Sequence, residues 1–329
     1  MLENLWLSFQ TVVPIVILVA VGMFLKKINL LPDEFYSGAD KFVFKVALPC
    51  MIFLEVAGAT INESAGYLGL MLYVAPMICV LCLVYSLISP LFIKDKRKLG
   101  ASVQSMFRSN AAILGSVLLS NVFPDEERTK AALAAYAIVM PFVILAYNAL
   151  SVVVLTVFMP VEDGEEKHKF GMKDMKRILI DTVKNPLIIG VVCGLPFMFA
   201  GITLPVIATK TMGYLSNTVT ALALISLGAG FSFKSLKGNL KLASVVTLIK
   251  IVFQPILGVA IGYLLGFSGL ELLVAFIVFG TPAAVSSYIM AKNMKSDYEL
   301  AGQILLLSTV FCILTVFLGV FAMRCLGWI

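Results

Sequence analysis

Ten apolar runs of membrane-crossing length follow one another along the 329-residue chain, at 8–25, 41–59, 67–93, 99–123, 131–157, 185–201, 208–230, 239–265, 269–291 and 300–323. A helix needs about 20 apolar residues to cross a bilayer. The runs therefore predict an all-α polytopic membrane protein with ten transmembrane helices. Composition agrees: 60% of the residues are hydrophobic and 13% charged, against about one quarter charged in a soluble domain.

Basic residues set the expected orientation. Nineteen of them fall on one side of the ten runs: in 26–45, 94–98, 167–184, 234–241 and at Lys292 and Lys295. Only Arg128, Lys130, Lys210 and Arg324 fall on the other. Both termini are therefore expected outside the cytoplasm, in the inner (plasma) membrane of a bacterium. The first run is expected to be a retained span, because Lys26 and Lys27 follow it and no cleavage signal is evident. The net charge of +6 then reports topology and some attraction to membrane lipid, with no nucleic-acid partner implied.

The charged loop at 161–182 separates five runs from five, giving halves 1–160 and 183–329. Corresponding runs start 167 to 177 residues apart. Five is odd, so the second half must enter the membrane with opposite polarity, an inverted-topology repeat. The fourth member of each half is interrupted, by RSN (108–110) and by TPAA (281–284). Each is read as two half-helices. Ser109 or Asn110 would cap the first to resume; Thr281 would cap the second, with Pro282 at its first helical position.

Arg108 and Lys250 lie ten or eleven residues into their runs, about 15 Å along a helix rising about 1.5 Å per residue, hence near mid-membrane. A cation there costs at least about 2.5–3.5 kcal/mol unless it faces protein, water or an anion. The fourth run leads outward and the ninth inward, so the resuming half-helices both start at mid-depth. Their N-termini converge with unpaired N–H groups and partial positive charge. With Arg108 and Lys250 they make a site suited to a carboxylate. Gln254, Ser286, Ser287 and Tyr288 are candidates to line it, with Asn148, Ser308 and Thr309 around them; each would otherwise hydrogen-bond between helices. Glu55 is expected in the outer third of the second run. It leaves Arg108 two readings, substrate contact or ion-pair partner, and Lys250 three: substrate contact, fixed structural charge or proton coupling.

ALPCMIFLEVAG (47–58), FRSNAAILGS (107–116), NPLIIGVVCGLPFMFAGITLP (185–205), LALISLGAGF (222–231), LIKIVFQPILG (248–258), GTPAAVSSYIMAKNMKSD (280–297) and LSTVF (307–311) together resemble the auxin efflux carrier family over essentially the whole chain. The resemblance implies a fold similar to sodium/bile-acid symporters and sodium/proton antiporters, and a function like that of bacterial malate, malonate or other dicarboxylate permeases. It implies a scaffold of spans 1, 2, 6 and 7, a transport domain of spans 3–5 and 8–10, a homodimer through the scaffold, and elevator-like alternating access. By the same resemblance, Asn110, Thr281, Pro282 and Ala283 would contact substrate. Plant members carry proline at both breaks. Here the fourth run offers Asn110 and Gly115 instead. The long hydrophilic loop of many plant members is also missing, so auxin is not the expected solute.

The expected function is thus a secondary transporter of small organic anions such as dicarboxylates. The alternatives are a sodium-coupled symporter of the bile-acid type and a non-transporting metabolite sensor. No phosphate-binding glycine loop, intramembrane histidine or paired intramembrane aspartates appear, so neither enzyme chemistry nor ATP-driven pumping is expected. No cofactor or metal is implied. The six cysteines lack metal spacing and read as free packing thiols, and His168 as a solvated loop residue.

Overall fold

The computed structural model describes residues 2–58, 67–120, 122–123, 125–159, 180, 182–230 and 233–329, and every regular element among them is a helix. In order these are α1 (Leu2–Lys27), α2 (Asp33–Phe42, Val43–Ala47 and Leu48–Ala57 in succession), α3 (Leu68–Ile88), α4 (Lys96–Phe107) and α5 (Ala111–Gly115, then Ser116–Leu119). They continue with α6 (Glu126–Val157), α7 (Pro186–Ala200), α8 (Val206–Ala229) and α9 (Phe233–Leu248, Ile249–Phe253 and Gln254–Leu264). The last three are α10 (Gly269–Gly280), α11 (Val285–Asn293) and α12 (Tyr298–Cys325). Helix occupies much of the described part of each apolar run, with breaks at 108–110 and 281–284. Among the described residues five helices are long and apolar enough to cross a membrane: Leu68–Leu91, α6, α8, Gly238–Leu264 and α12. Most of the loop at 161–182, with His168, lies outside the described residues.

Short polar residues start many of the helices. Asp95, Asp125, Asn185 and Asp297 accept from the backbone N–H of Arg97, Arg128, Leu187 and Leu300, satisfying donors that have no partner within the helix. Ser268 and Glu271 form a capping box at the start of α10. Two wide turns of π type, Val43–Ala47 and Ile249–Phe253, lie just before Pro49 and Pro255. A proline has no N–H for the carbonyl four residues back and its ring crowds that oxygen. The widened turn makes room for it. Lys250 sits in the second of these turns.

Buried apolar side chains fall into two clusters. One joins α3, α4, α5, α6, α9, α10 and α12 around Leu81, Phe107, Val139, Ile277 and Ile304. The other joins α1, α2, α7 and α8 with a face of α11 and with Val152 and Leu155 of α6 and Leu305 of α12, around Val19, Ile52, Leu187, Leu224 and Ile289. Within the second, α1 and α8 pack backbone to backbone. A Cβ on Gly22 would fall on the Ile225 backbone, and one on Gly228 on the Val19 backbone. Small residues that permit such approach are characteristic of helix contacts in apolar surroundings. The six cysteines carry no disulfide: Cys82 and Cys312 are buried, Cys50 is half-buried, and Cys79, Cys193 and Cys325 are exposed.

Candidate functional site

The two interruptions meet. The two breaks run antiparallel, with Ser109 bridged to Ala283 and the Asn110 N–H donating to the Pro282 carbonyl at 2.7 Å. The Ala283 N–H donates to Ser308 Oγ at 3.1 Å, tying the second break to α12. This pairing shifts the helix boundaries from their expected places. Thr281 ends α10, donating its N–H to the Ile277 carbonyl, and α11 starts only after Ala284. Thr281 therefore does not cap α11, and Pro282 does not occupy its first turn. Pro282 cannot donate an N–H, but its carbonyl serves the crossing chain, and that holds 281–284 extended. In the other break Asn110 has the capping position without a capping side-chain bond. Its carbonyl accepts from the Leu114 N–H at 3.0 Å, closing the first turn of α5.

Four half-helix ends therefore converge, and two side chains of α9 hold the negative pair. Lys250 Nζ donates to the Phe279 carbonyl at 3.1 Å near the end of α10, to Ser109 Oγ, and to Gln254 Oε1 at 3.4 Å. Gln254 Nε2 in turn donates to the Phe107 carbonyl at 3.2 Å, the last residue of α4. Both side chains are fully buried. A cation is favourable beside helix C-termini, where carbonyls lack partners. The contacts Lys250 makes are thus with protein groups at these ends.

The positive pair of ends opens onto a cavity. It is lined by Ala112 of α5; Ala284, Val285 and Ser286 at the start of α11; Arg108, Ser109 and Asn110 of the first break; Met140, Ile144, Tyr147 and Asn148 of α6; Met51 and Glu55 of α2; and Val219 and Thr220 of α8. Its volume is about 40 Å³, and it opens toward solvent. Arg108 is 4% exposed, so its charge depends on what this cavity supplies. Nη2 donates to Asn148 Oδ1 at 2.9 Å and Ser286 Oγ at 2.7 Å, and Nη1 lies against the Met290 sulfur. Asn148 is oriented for this by its own Nδ2, which donates to the Ile144 carbonyl at 2.9 Å. All three partners are neutral. Among the described residues no carboxylate lies within 4 Å of Arg108 or of Lys250, so the contact pair with Glu55, one of the two readings of Arg108, is not formed. Instead the two face one cavity from different helices.

Of the residues singled out from sequence, Arg108, Ser109, Asn110, Ser286, Asn148 and Glu55 come together around the cavity. Lys250, Gln254, Thr281, Pro282 and Ala283 form the crossover behind it. Ser287 is fully buried away from the cavity. Tyr288 packs edge-on against Tyr298. Thr309 Oγ1 donates to the Leu305 carbonyl of its own helix at 2.7 Å, and Ser308 Oγ donates to the same carbonyl while supporting Ala283. Tyr147 and Thr220 were not anticipated. A hydroxyl in an otherwise apolar stretch, beside Asn148 in one case and at 220 in the other, was the available signal.

A family model described as membrane transport protein matches residues 7–319. An uncharacterized transporter of Methanothermobacter thermautotrophicus is 25% identical over 313 residues, covering 94% of this chain and 96% of the relative. Another, of Methanocaldococcus jannaschii, is 24% identical over 329 residues, covering 98% and 99%. These matches span both clusters of the core and both breaks. The chain belongs to the membrane transport protein family, the auxin efflux carrier family whose motifs its sequence carries.

Proposed function

We propose that the protein is a secondary transporter of small organic solutes bearing a carboxylate, working by elevator-like alternating access. The observation that carries this reading is the sorting of charge at the crossover. The carbonyl ends of α4 and α10 are engaged by Lys250 and Gln254. The N–H ends of α5 and α11, with the Arg108 guanidinium, border an open cavity. Donors and a buried cation without a counter-ion form an anion site. A solute carboxylate fits among Arg108, Asn110 and Ser286.

In this reading the chain forms ten spans in two inverted repeats, with both termini extracytoplasmic and most lysines facing the cytoplasm. Spans 1, 2, 6 and 7, namely α1, α2, α7 and α8, form a scaffold through which two copies pair. The remainder forms the moving part. The division of buried side chains into two clusters supports that partition, as does the cavity's position between α2 and α8 on one hand and the two breaks on the other. A sodium-coupled variant would need neutral oxygens at the crossover, and Lys250 already engages the Phe279 carbonyl and Ser109 hydroxyl.

The test is flux. Purified protein in liposomes, given radiolabelled carboxylates under imposed potential, proton and sodium gradients one at a time, is expected to show saturable uptake that Arg108→Gln abolishes. Folded protein that binds carboxylates without flux would favour a sensor. Flux indifferent to Arg108→Gln would overturn the site assignment.

A further inference from the structure

We infer that the cavity takes a zwitterion, an α-amino acid with a neutral apolar side chain, its carboxylate on Arg108 and its ammonium on Glu55. This rests on the proposed carboxylate site and narrows its substrate. Lys250 is withdrawn behind the crossover, so the cavity has one cation, Arg108, and one carboxylate, Glu55. They border the cavity from different elements, Arg108 at the first break and Glu55 on α2, with no ion pair within 4 Å between them among the described residues.

A buried charge without a partner is costly, and neither of these has a counter-ion within 4 Å among the described residues. A dicarboxylate would satisfy Arg108 and repel Glu55. A simple monocarboxylate would leave Glu55 facing apolar matter. A molecule carrying both charges satisfies both at once. Asn110 adds a second mark of a ligand: it is 5% exposed, borders the cavity, and makes no side-chain hydrogen bond among the described residues. A buried amide of this kind lacks partners that a bound carboxylate and ammonium can supply. Between the polar poles the walls are Met51, Met140, Ile144 and Val219, which suit an apolar side chain. The other ionisable group bordering the cavity is Tyr147 of α6. Of the helices packed on this part of α2, α7 carries only Cys193, and α8 has Lys210 and Tyr214 in its first turns.

The experiment compares matched triplets: leucine, 4-methylpentanoate and isopentylamine; phenylalanine, 3-phenylpropionate and phenethylamine. Thermal stabilisation and radiolabel uptake are read on the full-length protein, its Glu55→Gln and Glu55→Asp variants, each checked for folding by circular dichroism and gel filtration. An amino acid is expected to stabilise the wild type where its des-amino and decarboxylated partners, at the same concentration, do not. Glu55→Gln should weaken that amino acid at least tenfold and leave the des-amino acid unchanged or better bound. Glu55→Asp should keep the preference at reduced affinity. Des-amino acids that match or beat amino acids, with Glu55→Gln leaving the ratio unchanged, would overturn the zwitterion and leave the carboxylate site standing. The zwitterion falls in the same way if acid pH drives monocarboxylate uptake in wild type and Glu55→Gln removes that dependence. Folded protein that binds no carboxylate-bearing probe at all would overturn both.

Discussion

Lys292, in the last turn of α11, is ion-paired with Asp40 of α2, and the contact joins a half-helix of the crossover to the helix that carries Glu55. Asp40 is 3% exposed, so this is a buried carboxylate held by the Lys292 ammonium. Around it, the Lys292 ammonium lies over the rings of Tyr288 and Tyr298 at 5.6 and 5.2 Å, and Asn293 Nδ2 donates to the Asp40 carbonyl at 3.3 Å. Asp40 and Glu55 are fifteen residues apart on α2, roughly 20 Å at helical rise. The pair therefore ties α11 to α2 at a point well along α2 from Glu55. In an elevator cycle it must break whenever α11 slides along α2.

That tie predicts coupling between the two side chains. Removing one partner of a well-buried pair costs about 3–5 kcal/mol. The Lys292 side chain is 26% exposed, which lowers the expectation to about 1–3 kcal/mol for Asp40→Asn or Lys292→Gln. The double variant should lose no more than the worse single. Strictly additive losses in thermal unfolding would mean the pair does not act as a latch.

Arg108 and Lys250 should fail differently although both are buried cations. Lys250→Met leaves the Phe279 carbonyl and Gln254 Oε1 short of a donor, each a loss of about 1–3 kcal/mol, and should lower the melting temperature. Arg108→Gln should fold near normally and lose carboxylate binding. Arg108→Lys should rescue it only in part, because an ammonium cannot span Asn148 and Ser286 as the planar guanidinium does. Equal melting temperatures for the Lys250 and Arg108 variants would contradict the division of roles.

How much of this the sequence discloses follows from which forces act locally. The bilayer penalises polar atoms by depth, and depth is readable by counting along a helix. The apolar runs, the two breaks and the anomaly of Arg108 and Lys250 were therefore legible. The direction in which a helix turns a given side chain is set by its neighbours. Counting put Lys250 at mid-depth but could not tell the cavity from the carbonyl ends of α4 and α10 behind it. Thr281 and Pro282 carry an ordinary helix-start signature, and it failed because Asn110 and Ser109, some 170 residues earlier, pair with that stretch and keep it extended. Glu55 was legible as an internal acid; its place across the cavity from Arg108 depends on α2 packing beside both breaks.

Two glycines of α8 should respond in opposite directions to alanine. Gly228 lies against the Val19 backbone, so an added methyl has to move α1 from α8, an overpacking cost of about 1–3 kcal/mol. Gly213 has nothing within 4 Å of its would-be Cβ, so Gly213→Ala should stabilise by about 0.5–1 kcal/mol through helix propensity. Thermal unfolding of both variants checks the α1–α8 contact, and a neutral Gly228→Ala would refute it.

Adjacent serines of α11 give a test of the cavity's reach and field. Ser286 borders the cavity and accepts from Arg108 at 2.7 Å, whereas Ser287 is fully buried on another face. In a background with the six native cysteines replaced, Ser286→Cys should react with small methanethiosulfonates and Ser287→Cys should not. The guanidinium beside residue 286 should make an anionic reagent react several-fold faster than a cationic one of equal size, since unlike charges raise local concentration. That advantage should vanish when Arg108→Gln is added. In the proposed orientation, with the Asp40–Lys292 end facing the cytoplasm, a membrane-impermeant reagent should reach residue 286 from outside the cell. A transported solute should slow the reaction by occupying the space beside Arg108. Equal labelling at 286 and 287, or faster reaction with the cationic reagent, would mean that the cavity bordered by Arg108 and Ser286 is not an aqueous anion path.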